Sequence, residues 1–261
     1  MSPLISVIIP VYNGAEFLPE AIANVLAQGQ DSLEIIVVND GSTDETAEIA
    51  TQLNGPIRYV DQPNQGPAAA RNYGLTLAQG EFIAFLDVDD QWPPDKLSLQ
   101  LAAFAVRPEV DIVNGYVQLL QGTVTEGGTI TFRPRYVPVV SFNLGSALFR
   151  RSVFDRVGPF DAQQIHSEDV DWFMHAREMG VNMVVLEAVT LFYRKHDSNL
   201  THDRQENLKG FMRAVRQSIQ RRQQAGTAAS ELPRLQYLNA EGEIVQKDTQ
   251  GVVPLTAFNQ P

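Results

Sequence analysis

Apolar runs of strand length alternate with helical stripes through the first hundred residues. Leu4-Ile5-Ser6-Val7-Ile8-Ile9-Pro10-Val11 reads as a buried strand ending in the turn residues Tyr12-Asn13-Gly14. Pro10 has no N–H to give a ladder, so pairing is expected to weaken there and leave Tyr12 and Asn13 at the sheet's rim. Phe17, Ile22, Val25 and Leu26 follow at helical spacing, closing near Gly29. A second strand over 33–38 runs into Asn39-Asp40-Gly41-Ser42-Thr43-Asp44. There Ser42 or Thr43 suits a helix cap, and Asp44 and Glu45 suit the helix's positive end. Residues 56–61 give a short third strand, and Asn64-Gln65-Gly66-Pro67 opens a helix carrying Arg71 in its first turns. Strand, helix, strand, helix at this spacing is the βαβ pattern of a doubly wound sheet.

The run Glu81-Phe82-Ile83-Ala84-Phe85-Leu86 has the composition of a strand buried on both faces, and it leads straight into Asp87-Val88-Asp89-Asp90. The carboxylates therefore fall at the strand's C-terminal end, the edge where open α/β sheets bind ligands. Alternation along an extended chain points Asp87 and Asp89 to one side, where they suit a hard cation and a diphosphate. A solvated acidic turn is the plainer reading of such a triplet; its place after a buried strand favours a metal–diphosphate site.

Beyond Arg107-Pro108 the pattern changes. Val110–Leu120 reads as a strand, 121–138 as a hairpin or loop, Asn143–Phe149 as a buried strand, and Arg151–Val157 as a short helix. Ser167 is placed to cap a helix to Met179, with Glu168 and Asp169 in its first turn. Short strands follow at Met183–Leu186 and Val189–Tyr193. Residues 203–222 are amphipathic, with Leu208, Phe211, Met212, Val215 and Ile219 on one stripe. Their basic residues read as a solvated face, ahead of contact with an anionic membrane. From about Ala225 the chain is polar and proline-punctuated, with a small hairpin at 235–246.

Composition narrows the picture. A net charge of −11 disfavours nucleic-acid binding, yet leaves room for a nucleotide whose diphosphate is neutralised by a divalent ion. The absence of cysteine rules out disulfides, thiolate catalysis and cysteine–zinc sites. Residues 4–11 are too short and lack the basic leader of a signal peptide, and no run nears the roughly 18 apolar residues of a membrane span. These features lead to the expectation of a cytoplasmic protein.

Several stretches together resemble the family 2 glycosyltransferases of the GT-A fold. They are Val7-Ile8-Ile9-Pro10-Val11-Tyr12-Asn13, Ile36 to Asp44, Asn64-Gln65-Gly66 with Ala70-Arg71-Asn72, and Asp87-Val88-Asp89. Gly158-Pro159-Phe160-Asp161, Glu168-Asp169 and Tyr193-Arg194-Lys195-His196 complete the set, in the family's order over residues 4–200. Each alone is weak; in sequence they make a specific match.

The resemblance implies an α/β fold, a Rossmann-like mixed sheet flanked by helices, over residues 1–224. Residues 1–107 would be the nucleotide-binding half, 108–224 the acceptor half, and 225–261 an extension outside the resemblance. It implies transfer of a sugar, with inversion, from a nucleoside-diphosphate sugar, a UDP-sugar in the first instance, to a glycan or lipid-linked acceptor. That acceptor would bring the protein to the inner face of the membrane transiently. Carried over, Pro10, Tyr12, Asn13, Asp40, Asn64 and Arg71 line the donor pocket, with Asp40 bonding the base. Asn39 stands where many relatives have a second aspartate. Asp87 faces the ribose or the metal, Asp89 and His196 hold Mn2+ or Mg2+, Glu168 contacts the acceptor, and Asp169 is the base. A helix N-terminus is expected to keep Asp169 ionised. Trp172 suits either an acceptor platform or the core. Two other readings stand beside this one. A nucleotidyltransferase would share the sheet and acidic ligands, but residues 10–20 carry no basic phosphate loop. A nucleotide-sugar-binding scaffold would keep the pocket without turnover.

Overall fold

The computed structural model describes residues 3–124, 130–196, 199, 204–239 and 242–245. Its centre is one mixed sheet in the order β11-β10-β9-β5-β8-β4-β1-β2-β3, with β6 and β7 paired to β5. The strands β1 (Ile5–Val11), β2 (Leu33–Asp40), β3 (Ile57–Gln62) and β4 (Phe82–Phe85) run parallel, with β1 between β2 and β4. Every residue of β1 and β4 is buried, which is why their sequences are continuously apolar. Helices α1 (Leu18–Leu26), α2 (Thr46–Gln52) and α3 (Pro67–Leu77) make the crossovers, and α4 (Lys96–Val106) leaves the far end of β4. The chain moves outward from β1 to β3, then returns to β4 on the other side. The loops after β1 and β4 therefore part at a topological switch point, the usual ligand crevice of such sheets.

Pro10 does not weaken pairing with β2, which continues to Val11 opposite Asn39. Leu86 donates its N–H to the Ile8 carbonyl, so the even-numbered residues of β1 face β4. That ladder already ends at Ile8 opposite Phe85, and the missing N–H of Pro10 points past it.

The second half carries β5 (Ile112–Val124), β6 (Ile130–Pro134), β7 (Val139–Val140), β8 (Leu148–Arg150) and β9 (Met183–Lys195). The expected strand at 143–149 is a 3-10 turn at Leu144–Ser146 followed by the short β8, because the Asn143 side chain accepts from Gly145 N–H and curls the chain. The two short strands expected at 183–193 are one strand, β9. It stays paired to β5 across a register shift at Asn114–Val117, so the irregular residues 187–188 break the pattern but not the ladder. The tail hairpin forms as β10 (Gln236–Leu238) and β11 (Ile244–Val245), and β10 adds to the main sheet beside β9. Residues 246–261 lie outside the described residues.

Helices α5 (Ser152–Val157) and α6 (Glu168–Glu178) pack beneath β4 and β8 through a cluster of rings: Phe85, Phe149, Phe154, Phe160, Trp172 and Phe173. Trp172 is 2% exposed, stacks on Phe154 at 5.0 Å and donates Nε1–H to the Gly158 carbonyl, so it is core and no acceptor platform. Helix α7 (Arg204–Ala225) lies along α6. Its predicted stripe lies mostly outward: Leu208, Met212 and Ile219 are exposed and Phe211 and Val215 half-buried, while Asn207, Ala214 and Ser218 are buried.

Candidate active site

Two loops are laced together above β1 and β2. Asn13 adopts a left-handed conformation (φ 50°), its N–H donates to Ser42 Oγ at 2.9 Å, and its Oδ1 accepts from Thr43 N–H at 2.8 Å. Gly14 N–H donates to Thr46 Oγ1, and Ala15 N–H to Asp44 Oδ2. Ser42 and Thr43 therefore tie loops rather than cap α2; Asp44 Oδ1 accepts from Thr46 N–H at 3.0 Å instead. A Cβ on Gly14 would stand 2.9 Å from Val88, which brings the β1 loop against the acidic turn after β4. Tyr12 projects from this platform with 52% exposure.

Asp40 ends β2 buried. Its Oδ1 accepts from Gln65 N–H and Gln62 Nε2, and its Oδ2 from Gly66 N–H at 2.8 Å, so it fixes the loop holding Asn64. Beside it Asn39 donates to Asp61 Oδ1 at 2.8 Å and to Tyr59 Oη at 2.9 Å. Burial and the hydrogen bond to Asp61 push the Tyr59 hydroxyl up to about 12.

After β4 the chain turns, with Asp90 N–H donating to the Asp87 carbonyl. Strand alternation consequently ends, and Asp87 and Asp89 take different partners instead of converging. Asp87 Oδ1 pairs with Arg71 Nη2 at 2.6 Å, and Arg71 Nη1 pairs with Glu168. Asp89 Oδ2 lies 2.8 Å from Asn199 Nδ2 and 3.2 Å from His196 Nε2, whose ring stacks on Phe17 at 5.0 Å. The turn is clamped from behind. Arg194 donates its backbone N–H to Asp90 Oδ1 at 2.9 Å, its Nε–H to the Asp89 carbonyl, and pairs Nη1 with Glu20 at 2.6 Å. Its guanidinium sits over the rings of Phe17 and Phe132.

Asp169 follows Glu168 in the first turn of α6. Ser167 stands at the cap position in a left-handed conformation (φ 60°) without a side-chain bond, so the expected serine cap is absent; Asp169 Oδ1 accepts from Val170 N–H at 2.7 Å. The expectation that the helix end keeps Asp169 ionised is also overturned. Burial first, and the Glu168 charge next, push its carboxyl up to about 7. A helix end supplies about 0.3–1 kcal/mol to an anion, whereas desolvation of a buried carboxyl is worth several pKa steps. Glu168 is raised by burial against the pull of Arg71. Arg71, despite burial, is held above its ordinary value by Asp87 and Glu168 and stays charged.

Among the described residues no group of three or more His, Asp or Glu side chains makes a complete metal cage. Asp89 and His196 offer one carboxylate oxygen and one imidazole nitrogen. That donor set fits manganese or magnesium completed by substrate phosphates and water. His166, by contrast, is engaged with Asn207 at 3.0 Å.

Residues 6–160 match the model of the family described as Glycosyl transferase family 2. The chain belongs to that family. An uncharacterized glycosyltransferase of Nostoc sp. is 32% identical over 211 residues, covering 75% of this chain and 66% of the relative. The uncharacterized glycosyltransferase EpsJ of Bacillus subtilis is 30% identical over 220 residues, covering 77% and 64%. The chain thus spans about two thirds of the length of these relatives. Among solved structures, Staphylococcus aureus TarS 1–349 with UDP-GlcNAc aligns with a TM-score of 0.64 at 22% identity, over 83% of this chain and 66% of that one. Mannosyltransferase PcManGT of Pyrobaculum calidifontis, with GDP-Man and Mn2+, aligns with a TM-score of 0.65 at 21% identity, over 84% and 65%. The family 2 chain has the GT-A fold.

Glu20, Asp61, Asn199 and the clamping role of Arg194 carry no signal in the local sequence pattern, and Asp90, one of the acidic triplet, is held by the Arg194 backbone N–H. Arg194 lies inside Tyr-Arg-Lys-His, but its partner Glu20 stands 174 positions away and no local pattern pairs them.

Proposed function

We propose that the protein is an inverting glycosyltransferase that takes a sugar from a nucleoside diphosphate, a UDP-sugar in the first instance, to an acceptor hydroxyl. The observation that carries the reading is the meeting of Tyr12, Asp40, Arg71, Asp87, Asp89, Asp169 and His196 from six separated stretches around one sheet edge. TarS and PcManGT, which share the fold, were solved with UDP-GlcNAc and with GDP-Man and Mn2+ respectively. Tyr12 offers an open ring to the base, and Pro10, Asn13, Asp40 and Asn64 wall the base and ribose pocket. Arg71 holds Asp87 toward the donor and Glu168 toward the acceptor. Asp89 and His196 are the candidate holders of the divalent cation, which when bound offsets the charge of the departing diphosphate.

Asp169 is assigned as the base. In the step, the acceptor oxygen forms its bond to the anomeric carbon and the bond from that carbon to the diphosphate oxygen breaks with its electron pair. The acceptor proton passes to Asp169. A carboxyl raised to about 7 suits this, because a base is most effective when its pKa lies near the working pH.

The test is thermal stabilisation by UDP, GDP, CDP and dTDP, each with manganese, magnesium or chelator, on the wild type and on Asp89→Asn. A ligand at about 100 times its Kd adds roughly 2.7 kcal/mol. A metal-dependent shift with one base, lost in Asp89→Asn, is expected. No shift with any nucleotide would sink the reading.

A further inference from the structure

We infer that the outward face of α7 docks on an anionic lipid surface, so that the acceptor is met at a membrane. The docking rests on the helix alone; its consequence for the acceptor rests on the glycosyl-transfer reading above.

Three large apolar residues of the helix stay outside its packing, although Phe211 and Val215 are half-buried. A surface helix ordinarily turns its large apolar residues inward. Here Asn207, Ala214 and Ser218 are buried, while Leu208 and Met212 are each 58% and Ile219 41% exposed. With Val215 they form a stripe at i, i+4, i+7 and i+11, about 17 Å long at 1.5 Å per residue. The helix is held firmly in this orientation. A Cβ on Gly210 would stand 2.5 Å from the His166 carbonyl oxygen, so only glycine lets the two backbones approach so closely. Arg221 pairs with both Asp171 and Glu178 of α6, Asp171 at 2.9 Å. The stripe is therefore presented, not left over from loose packing.

Charge selects the occupant. The helix carries six of the chain's 20 basic residues against one of its 31 acidic residues, with Arg221 paired to Asp171 and Glu178, Arg213 to Asp161 and Lys209 to Glu206 on the surface. With about 100° of turn per residue, Lys209 and Arg216 fall on one edge of the stripe and Arg222 on the other. Basic side chains flanking an apolar stripe suit a bilayer interface, where the stems lie along the acyl boundary and the heads meet phosphate groups. A second copy of the chain would bring like-charged helices together. The position is also apt: the helix abuts His166, three residues before Asp169.

The experiment is flotation of the full chain with vesicles of phosphatidylcholine alone and of phosphatidylcholine mixed with phosphatidylglycerol. Binding to the anionic vesicles only, weakened by salt, is expected. The double change Leu208→Glu, Met212→Glu should weaken it at least about tenfold. Arg216→Glu, an exposed change that leaves packing alone, should weaken it by about tenfold and keeps the test decisive if the double variant misfolds. Absence of flotation, equal flotation on both vesicles, or variants that float like the wild type would overturn the proposal. So would a concentration-dependent dimer that the same changes dissolve. Melting shifts with UDP and Mn2+ are read on the same samples. A retained nucleotide shift without flotation defeats the docking alone, and flotation without any nucleotide shift defeats the transfer reading alone.

Discussion

Arg71 Nη2 and Asp87 Oδ1 lie 2.6 Å apart, and the other arm of the same buried guanidinium pairs with Glu168. One cation from α3 thus joins the turn after β4 to the first turn of α6, which carries the proposed base. The fork geometry of arginine makes this possible; a lysine presents a single point charge.

Arg71→Met leaves Asp87 and Glu168 close together without a cation. Breaking a buried pair from one side typically costs about 3–5 kcal/mol. Because Asp87 is partly exposed, the expected loss is near the lower end, about 3 kcal/mol by urea unfolding. Arg71→Lys should recover less than half of it, since one ammonium cannot serve both carboxylates in the same geometry.

Asp169→Asn should move activity and stability in opposite directions. Loss of a general base typically costs 10²–10⁴-fold in rate, so transfer should fall about a thousandfold, followed as released nucleoside diphosphate. The folded carboxyl titrates at about 7 against an ordinary 3.8. Between those values the unfolded chain gives up a proton that the fold keeps, so the stability owed to this group is full below about pH 4 and lost as pH rises through 7. The variant has no such group and should melt higher than wild type at pH 8, by about 1–2 kcal/mol, with the gap closing toward pH 4. In the wild-type rate profile the ascending limb should have its midpoint near 7.

Asn39→Asp places a carboxylate where Asn39 Nδ2 now donates to Asp61 at 2.8 Å. Two carboxylates at that distance share one site, and one must hold a proton or the pair must open. Stability should drop by about 2 kcal/mol at pH 8 and recover as pH falls below about 5, measured by thermal unfolding across pH. Asp61→Asn in the same molecule should restore most of the loss.

Arg194→Gln should loosen the acidic turn without unfolding the chain. The backbone bond to Asp90 remains, while the Glu20 pair and the contacts with Phe17 and Phe132 go. A loss of about 1–2 kcal/mol in stability is expected. Calorimetric titration of UDP with Mn2+ should show weaker binding than wild type, and UDP with chelator an unchanged response.

In the first half of the chain the sequence by itself determined the strands, whereas at 143–149 and 183–193 it did not. Continuous apolar runs at 5–11, 33–38 and 82–85, bounded by turn residues, read as buried strands, and the polar residues after them then lie along one edge. The pattern alone thus puts Tyr12, Asn13, Asp40, Asp87 and Asp89 along the same edge, because strand direction and crossover hand are local and chiral facts. The helices of the second half were legible for the same reason. Tertiary structure alone decided which charges meet. Alternation suggested that Asp87 and Asp89 act as a pair, yet a turn between them sends one to Arg71 and the other to His196 and Asn199. Periodicity found the α7 stripe but not its outward direction, because a wheel gives the angle between residues and never the side on which the core lies. Asp169 drew on helix position for an ionised state, whereas its titration is set by how much protein surrounds it and by Glu168 next door. Desolvation and long-range charge pairing depend on distances through space between residues up to 174 positions apart, and one-dimensional pattern holds no record of them.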